Sequence, residues 1–461
     1  MAKYNPINND ANDQLVIQIS KSTSAPANEK LERDPLLPPS NSNSKQTRPQ
    51  HQQRRLISLD VFRGLTVALM ILVDDVGGIL PAINHSPWNG LTLADFVMPF
   101  FLFIVGVSLA LTYKNFPCKV VATRKAILRA LNLFLLGIFL QGGFFHGINN
   151  LKYGVDIAQI RWMGVLQRIA IAYLVAALCE IWLKGDGHVS SKLSLFRKYR
   201  GHWVVALVLT TLYLLLLYGL YVPDWQYEFP VETSSSSPWI FNVTCGVRGS
   251  TGPACNAVGV IDRKILGIQH LYRKPIYSRT KQCSINSPDY GPMPLDAPSW
   301  CQAPFDPEGL LSSVMATVTC LIGLHFGHLI VHFKDHRDRM LNWIILSSCL
   351  IGLGLSLDFV GMHLNKALYS LSYTCLTAGA SGVLLAGIYF MFCLPFCAEK
   401  QLNLSHLQTG NLVLLLQVDV QGHRRLPQRS YKTRISTTVL AVICVRCSFS
   451  VINTCAFIDE V

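Results

Sequence analysis

The feature that most constrains this chain is a series of long apolar runs separated by polar segments. Hydrophobic residues make up 50% of the 461 residues and the mean hydropathy is +0.33, which is too apolar for an ordinary soluble protein. Several runs reach the roughly 20 residues that a helix needs to cross a bilayer. The sequence therefore predicts an all-α, polytopic transmembrane helix bundle of about eight or nine spans in a lipid bilayer.

Eight apolar runs are predicted to cross the membrane, and a long polar loop interrupts the series after the fifth. The runs cover about residues 57–80, 91–111, 126–145, 162–183, 203–222, 310–331, 341–360 and 367–396. A further run at 435–458 is only moderately apolar and contains Arg446. We place the polar loop at 223–308.

Basic residues are concentrated in every second connection between the runs. The segment 112–129 contains five cations and no acidic residue, whereas the connection around His85 contains no basic residue. Because cytosolic loops are enriched in Lys and Arg, this alternation predicts a cytosolic N-terminus and a lumenal His85. It also explains the net charge of +13 without nucleic acid, for which we find no binding motif.

The N-terminal segment 1–55 is rich in Asn, Ser, Gln, Lys and Pro. It is predicted to be a disordered cytosolic tail without a cleavable signal peptide. Its residues 32–37, ERDPLL, resemble an acidic dileucine sorting signal, although matches this short also arise by chance. The predicted divisions that follow are a transmembrane core at 56–222, the lumenal loop at 223–308, further transmembrane helices at 309–396 and a C-terminal segment at 397–461.

Two features of the polar loop indicate an oxidising lumen. The sequon Asn242-Val243-Thr244 makes Asn242 a candidate glycosylation site. Four of the 14 cysteines of the chain lie in this loop: Cys245, Cys255, Cys283 and Cys301. They suit two disulfides with three possible pairings, and free thiols are the alternative.

A polar turn between the first two spans contains the main candidates for chemistry. Pro87 and the pair Asn89-Gly90 disfavour helix around His85, whereas Asp95 lies about one turn inside the next span. A carboxylate inside a bilayer is costly and needs a partner, and His85 is a candidate close in sequence. A carboxylate that orients an imidazole makes histidine a base or a nucleophile. The alternatives are an ordinary loop histidine and a helix-capping aspartate.

Other ionisable residues fall inside or beside predicted spans, where they need polar surroundings. Asp74 and Asp75 lie near the end of the first span, and Arg168 lies in the fourth. We expect Arg168 to have a counter-charge, for which Asp74, Asp75 and Asp156 are candidates. His146 is predicted to be lumenal and to have a structural role.

Four motifs of the chain resemble signatures of the heparan-alpha-glucosaminide N-acetyltransferase family. They are LDVFRG at 59–64, NHSPWNGLTLADF at 84–96, GVLQR at 164–168 and LNKALYSLSY at 364–373. The resemblance covers about residues 56–390. The long lumenal loop is similar to that of the plant branch.

The resemblance implies an enzyme of the lysosomal or vacuolar membrane. Such an enzyme moves acetyl from cytosolic acetyl-CoA to the amine of a lumenal amino sugar, such as a terminal glucosaminide. The resemblance implies that His85 is the active-site histidine, and it matches Asp95 to the aspartate of the family motif, which we expect to orient His85. From their position in the chain, Asn84, Trp88 and Asn89 are candidates to line the substrate site. No metal is expected. Direct transfer through a histidine base and an acetyl-histidine intermediate both stay open.

Cations near the cytosolic face are candidates to bind the phosphates of CoA. Arg63, Lys125 and Arg129 meet this description, although the positive-inside rule explains them without a ligand. Arg168 is a further candidate for substrate binding because it lies within an apolar span.

The C-terminal part departs from the family pattern. Residues 418–425 resemble a family loop that is expected directly after the eighth span, but residues 393–417 intervene and the resemblance then ends. We therefore expect an aberrant C-terminal segment that arises from an unspliced insert and a lost reading frame. An inactive truncated family member is one alternative function, and a membrane transporter that uses Asp74, Asp75 and Arg168 is the other. The oligomeric state stays open, including a homo-oligomer.

Overall fold

The computed structural model describes most of the chain between residues 56 and 401. The described residues are 56–77, 80, 83–116, 118–142, 144–145, 153–154, 160–185, 187, 192–229, 239–272 and 275–401. The predictions for the tail 1–55, its dileucine-like signal, His146, Asp156 and the segment 402–461 lie outside these residues.

Ten α-helices account for most of the described residues. They are α1 (Ile57–Val76), α2 (Leu93–Thr112), α3 (Lys119–Gly142), α4 (Val165–Trp182), α5 (Lys192–Lys198), α6 (Arg200–Gly219), α7 (Ala257–Ile265), α8 (Leu310–His332), α9 (His336–Phe359) and α10 (Leu371–Gln401). Each of the eight predicted spans coincides with one of these helices. The structure is therefore mostly helical, as the hydropathy pattern predicts.

Six of the described helices are long and apolar enough to cross a membrane: α2, α4, α6, α8, α9 and α10. This number is smaller than the eight or nine spans predicted from the sequence. α1 is too polar to qualify because it contains Asp60, Arg63, Asp74 and Asp75. α3 is also not among the six candidate membrane-spanning helices. The apolar helices support a membrane protein with six candidate spans in the described part of the chain.

α2 and α8 form the centre of the bundle. They pack so closely that a Cβ atom on Gly106 would collide with the carbonyl oxygen of Cys320, and one on Gly323 with that of Phe103. Small residues of this kind permit the close backbone approach on which helix packing in lipid depends. α4, α6 and α10 also pack against α8, and α9 packs against α10, although few residues of α6 and α9 are fully buried.

Short β-ribbons correct the expectation of an all-α fold. The described residues form three antiparallel pairs: β1 (Phe144–Phe145) with β2 (Tyr153–Gly154), β3 (Tyr221–Val222) with β6 (Val247–Arg248), and β4 (Trp225–Phe229) with β5 (Trp239–Val243). Two-stranded ribbons this short depend on packing against other elements, so they leave little signal in the local sequence.

The region between α6 and α8 is cross-linked and carries the sequon. Two disulfides join Cys245 to Cys255 and Cys283 to Cys301. Asn242 lies on β5 and is exposed, as a glycan acceptor must be. Its glycosylation and the lumenal position of this region stay predictions.

A buried aspartate joins α7 to the start of α8. Asp262 Oδ1 accepts a hydrogen bond from the Leu310 backbone N–H at 2.8 Å. Asp262 is fully buried, and its Oδ2 has no hydrogen-bond partner among the described residues. Burial therefore raises the pKa of Asp262 to about 7.

The contribution of Asp262 to the stability of the protein is expected to fall as pH rises. A carboxyl group with a raised pKa binds more protons in the folded state than in the unfolded state. Its contribution is therefore complete below about pH 4 and is lost as pH rises through about 7. The slope is at most ~1.4 kcal/mol per pH unit. Thermal unfolding of the wild type and of Asp262→Asn should be compared between acidic and neutral pH. The wild type should lose stability relative to the variant as pH rises, and a difference that does not depend on pH would contradict the assignment.

Candidate active site

The turn that carries His85 is held by the segment between α9 and α10. The Gly90 backbone N–H donates to the Leu364 carbonyl at 2.8 Å, and Asn89 forms a β-bridge with Asn365. Gly90 has a φ of +108°, a conformation that favours glycine over other residues. Two segments that are distant in sequence thus form one platform at the start of α2.

His85 and Asp95 form a hydrogen-bonded pair on this platform. His85 Nδ1 lies 2.8 Å from Asp95 Oδ1. Asp95 Oδ2 accepts hydrogen bonds from the backbone N–H groups of Ser86 and Thr92, each at 3.1 Å. The side chain of Asp95 is fully buried, whereas that of His85 is 45% exposed. The carboxylate therefore favours the tautomer with the proton on Nδ1 and a lone pair on Nε2.

Lys366 completes what we call the His85 cluster, which consists of His85, Asp95 and Lys366. Lys366 Nζ lies 2.9 Å from His85 Nδ1, 3.1 Å from His85 Nε2 and 3.7 Å from Asp95 Oδ1. Burial lowers the pKa of Lys366, while Asp95 and Glu308 act against that shift. The cluster thus brings an imidazole, a carboxylate that orients it and an ammonium group to one point.

Lys366 is absent from the site residues predicted from sequence, although it lies in the motif LNKALYSLSY. One feature of the sequence could have indicated a functional role for Lys366. Lys366 falls on the side of the membrane that is predicted to be lumenal, where the positive-inside rule does not account for a cation. Its contact with His85 joins residues 281 positions apart, so only the folded chain reveals it.

Other residues of the same motif hold the His85 cluster in place. The Tyr373 hydroxyl donates to the Asp95 carbonyl at 2.6 Å. Asn365 Nδ2 donates to Asn89 Oδ1 at 3.1 Å, and Asn365 Oδ1 accepts from the Leu368 backbone N–H at 2.8 Å. These bonds fix the segment that carries Lys366 against the turn that carries His85.

A second group of charged side chains adjoins the His85 cluster. It consists of Arg161, which precedes α4, and of Asp306 and Glu308, which precede α8. Arg161 forms ion pairs with Asp306 and Glu308, both at 2.5 Å. Burial alone would raise the pKa of Glu308, but Arg168, Arg161 and Lys366 lower it below its ordinary value. Glu308 therefore stays ionised and interacts electrostatically with Lys366.

Arg168 has partners other than those predicted for it. Its Nη2 donates to the Pro307 carbonyl at 2.6 Å and to Ser312 Oγ at 2.5 Å. Neither Asp74 nor Asp75 is among the partners described for Arg168. Asp74 interacts electrostatically with His85 and Lys366 instead, because the end of α1 leads directly into the turn of His85.

The three neighbours of His85 that are predicted to line the substrate site make contacts within the protein. Asn84 Oδ1 accepts a hydrogen bond from the His85 backbone N–H at 2.8 Å. Trp88 is buried, and its Nε1 donates to the Thr251 carbonyl at 3.1 Å. Asn89 is held by the bridge described above. Contact of these residues with a substrate stays a prediction.

Arg63 lies away from the His85 cluster. Its Nη2 donates to Ser108 Oγ at 2.5 Å. Ser108 follows Asp95 by 13 residues on α2, which corresponds to about 20 Å along the helix axis. The structure therefore does not bring Arg63 to His85, and phosphate binding by Arg63 or by the predicted cations of α3 stays a prediction.

Comparison with known proteins identifies similarity to one family. Residues 55–247 match the family model described as heparan-alpha-glucosaminide N-acetyltransferase, catalytic. The mouse heparan-alpha-glucosaminide N-acetyltransferase is 28% identical over 394 residues, which are 80% of this chain and 55% of the mouse protein. The human protein of the same name is 30% identical over 353 residues, 72% of this chain and 48% of the human protein. The chain thus spans about half the length of these curated relatives.

Proposed function

We propose that this chain, which belongs to the heparan-alpha-glucosaminide N-acetyltransferase family, transfers acetyl from acetyl-CoA to the amine of an amino sugar at the His85 cluster. The observation that carries the proposal is the hydrogen-bonded pair of His85 and buried Asp95 beside Lys366. The acceptor is a terminal glucosaminide, the group in the names of the relatives.

Acetyl transfer to an amine needs a base and a donor for an oxyanion. The neutral amine attacks the thioester carbonyl, so that a C–N bond forms and the C–S bond then breaks. His85 Nε2 accepts the amine proton and gives it to the departing sulfur, while Asp95 stabilises the imidazolium. Lys366 donates a hydrogen bond to the oxyanion of the tetrahedral intermediate. The products are an N-acetyl amine and CoA as the free thiol.

The same residues also support a two-step route. In this route His85 Nε2 attacks the thioester carbonyl, the C–S bond breaks, and CoA leaves as a thiolate that takes a proton from solvent, so that an acetyl-imidazole forms. The amine then attacks the acetyl carbonyl, the bond to Nε2 breaks, and Nε2 takes the proton that the amine loses and returns it to solvent. The two routes differ in what happens without an acceptor. A burst of free CoA equal to the amount of enzyme is expected only for the two-step route.

The proposed orientation has the N-terminus in the cytosol and His85 in the lumen of a lysosome or vacuole. The alternation of basic connections supports this orientation. Two disulfides support a lumenal position for the region between α6 and α8, because disulfides persist in oxidising compartments. The raised pKa of Asp262 favours stability at acidic pH, as a lysosomal or vacuolar lumen requires.

Replacing Lys366 by methionine is expected to lower kcat by roughly 10²–10³-fold, the usual effect of removing one oxyanion donor. The bond between His85 and Asp95 stays in place, so KM for the amino sugar should change little. Lys366→Arg keeps the charge and should retain more activity than the methionine variant. Initial rates over a range of acceptor concentrations separate kcat from KM, and a wild-type kcat for Lys366→Met would remove Lys366 from the mechanism.

The proposed function is tested by acetyl transfer in membranes that contain the full chain. Labelled acetyl-CoA and glucosamine are supplied, and labelled N-acetylglucosamine is measured beside the His85→Ala variant. Product is expected from the wild type and not from the variant. Absence of product from both, together with proton-coupled uptake of amino sugar that survives His85→Ala, would support the transporter alternative and refute the proposal.

A further inference from the structure

We propose that a basic groove at the end of α2 opposite His85 binds the phosphorylated adenine nucleotide of CoA. This inference rests on the proposed function. The groove lies between the connection from α2 to α3, the end of α4 and α5. Its volume of about 700 Å³ is within the usual range of small-molecule sites.

Four lysines give the groove its charge: Lys114, Lys119, Lys184 and Lys198. They come from three separate segments, and none of the described residues that line the groove is acidic. Glu180 pairs with Lys184 at 3.3 Å, whereas no salt bridge to the other three lysines occurs among the described residues. Ammonium groups gathered in one concavity repel one another, so an anionic ligand is strongly favoured there.

Backbone contacts place two of the lysine side chains before any ligand binds. Lys198 Nζ donates to the Gly187 carbonyl at 2.8 Å, and Lys184 Nζ donates to the Tyr113 carbonyl at 3.3 Å. Both lysines are half-buried. Because these side chains are already ordered, binding costs less conformational entropy than it would at freely moving surface lysines.

The groove also offers an aromatic surface beside the cations. Phe116 lines its wall, and Lys184 Nζ lies 6.0 Å from the centre of the Phe116 ring. An aromatic face is a stacking surface for a base, and adjacent cations bind phosphate. This combination suits a nucleotide better than inorganic phosphate, which has no base to stack.

The position of the groove matches the shape of the proposed donor. α2 contains 20 residues, so its two ends are about 30 Å apart, with Asp95 near one end and the groove at the other. CoA is a long molecule with its thioester at one end and its phosphorylated nucleotide at the other. A lipid headgroup shares the phosphate but lacks the adenine ring.

The test measures CoA binding separately from acetyl transfer. The full chain is placed in phosphatidylcholine nanodiscs, and the Kd for CoA is measured by titration calorimetry. Lys114 and Lys119 are exposed, so the double variant Lys114→Gln/Lys119→Gln should fold normally. It is expected to bind CoA about tenfold more weakly. The control Lys334→Gln/Arg337→Gln removes the same charge from exposed positions outside the groove and should stay within twofold of the wild type.

The outcomes separate this inference from the proposed function. An unchanged Kd in the groove variant, or equal weakening in the control, would overturn the groove while acetyl transfer by the wild type still supports the enzyme. Adenosine 3′,5′-bisphosphate should displace CoA from the wild type. Displacement by glycerophosphoinositol 4-phosphate and not by the nucleotide would assign the groove to lipid headgroups and overturn the inference. Failure of the wild type to bind CoA would overturn the proposed donor as well.

Discussion

Replacing His85 by alanine is expected to lower the rate of acetyl transfer by roughly 10²–10⁴-fold, the usual contribution of a positioned acid–base group. The variant lacks both the proton acceptor and the nucleophile, whereas Asp95 keeps its bonds to the backbone N–H groups of Ser86 and Thr92. Because the His85 side chain is 45% exposed, its removal leaves little cavity and the fold should persist. Initial rates of purified chain in nanodiscs, at saturating acetyl-CoA, measure the effect.

A second histidine–aspartate pair provides a matched control for this prediction. His363 Nδ1 lies 3.5 Å from Asp358 Oδ1, and both side chains are partly exposed in the segment that leads to Lys366. His363→Ala should keep a rate within twofold of the wild type. Added imidazole should restore part of the activity of His85→Ala and have no effect on His363→Ala. A folded His85→Ala protein with the wild-type rate would show that His85 takes no part in the reaction.

Replacing Asp95 by asparagine is expected to lower kcat by roughly 10²–10⁴-fold and the free energy of unfolding by about 3 kcal/mol. The amide keeps the shape of the carboxylate but not the charge that stabilises an imidazolium. The carboxylate also accepts four hydrogen bonds, from His85 Nδ1, from the Thr92 hydroxyl and from the Ser86 and Thr92 backbone N–H groups. Asparagine must turn its NH₂ group toward at least one of these donors, which leaves a buried donor unpaired.

Kinetics and thermal unfolding together separate the two effects of Asp95→Asn. KM for acetyl-CoA should change little, because Asp95 orients His85 and does not hold the donor. Asp95→Glu keeps the charge and should recover part of kcat, which a purely structural role would not require. Asp358→Asn should leave the rate within twofold of the wild type, since Asp358 pairs with His363 instead. Full activity of Asp95→Asn would refute the proposed orienting role.

The hydropathy pattern could predict the helices because each apolar run is a local property of the chain. It could not predict where every helix starts. α3 begins at Lys119, seven residues before the apolar run at 126, since Lys, Arg and Ala continue a helix without contributing to the apolar run. The β-ribbons after α6 were not predictable in this way, because their short strands depend on contacts within the folded region.

In the candidate site, too, contacts between residues close in sequence could be predicted, and contacts between distant segments could not. His85 and Asp95 are ten residues apart across one turn, so their proximity could be predicted from sequence. Lys366 and Glu308 reach the site from segments that are far away in sequence, and no local pattern brings them to His85. For Arg168, the need for a counter-charge could be predicted from sequence, but its identity could not. Arg168 donates hydrogen bonds to Pro307 and Ser312, and it interacts electrostatically with Glu308, which is far away in sequence.

The most direct test of the central claim, acetyl transfer across the membrane at the His85 cluster, uses sealed proteoliposomes of known orientation. Labelled acetyl-CoA is placed on one side and glucosamine on the other, with His85→Ala vesicles as the background. We predict labelled N-acetylglucosamine only when acetyl-CoA is on the side of the basic groove and glucosamine is on the side of His85. Transfer that occurs only when donor and acceptor share one side, or that persists in His85→Ala, would contradict the account.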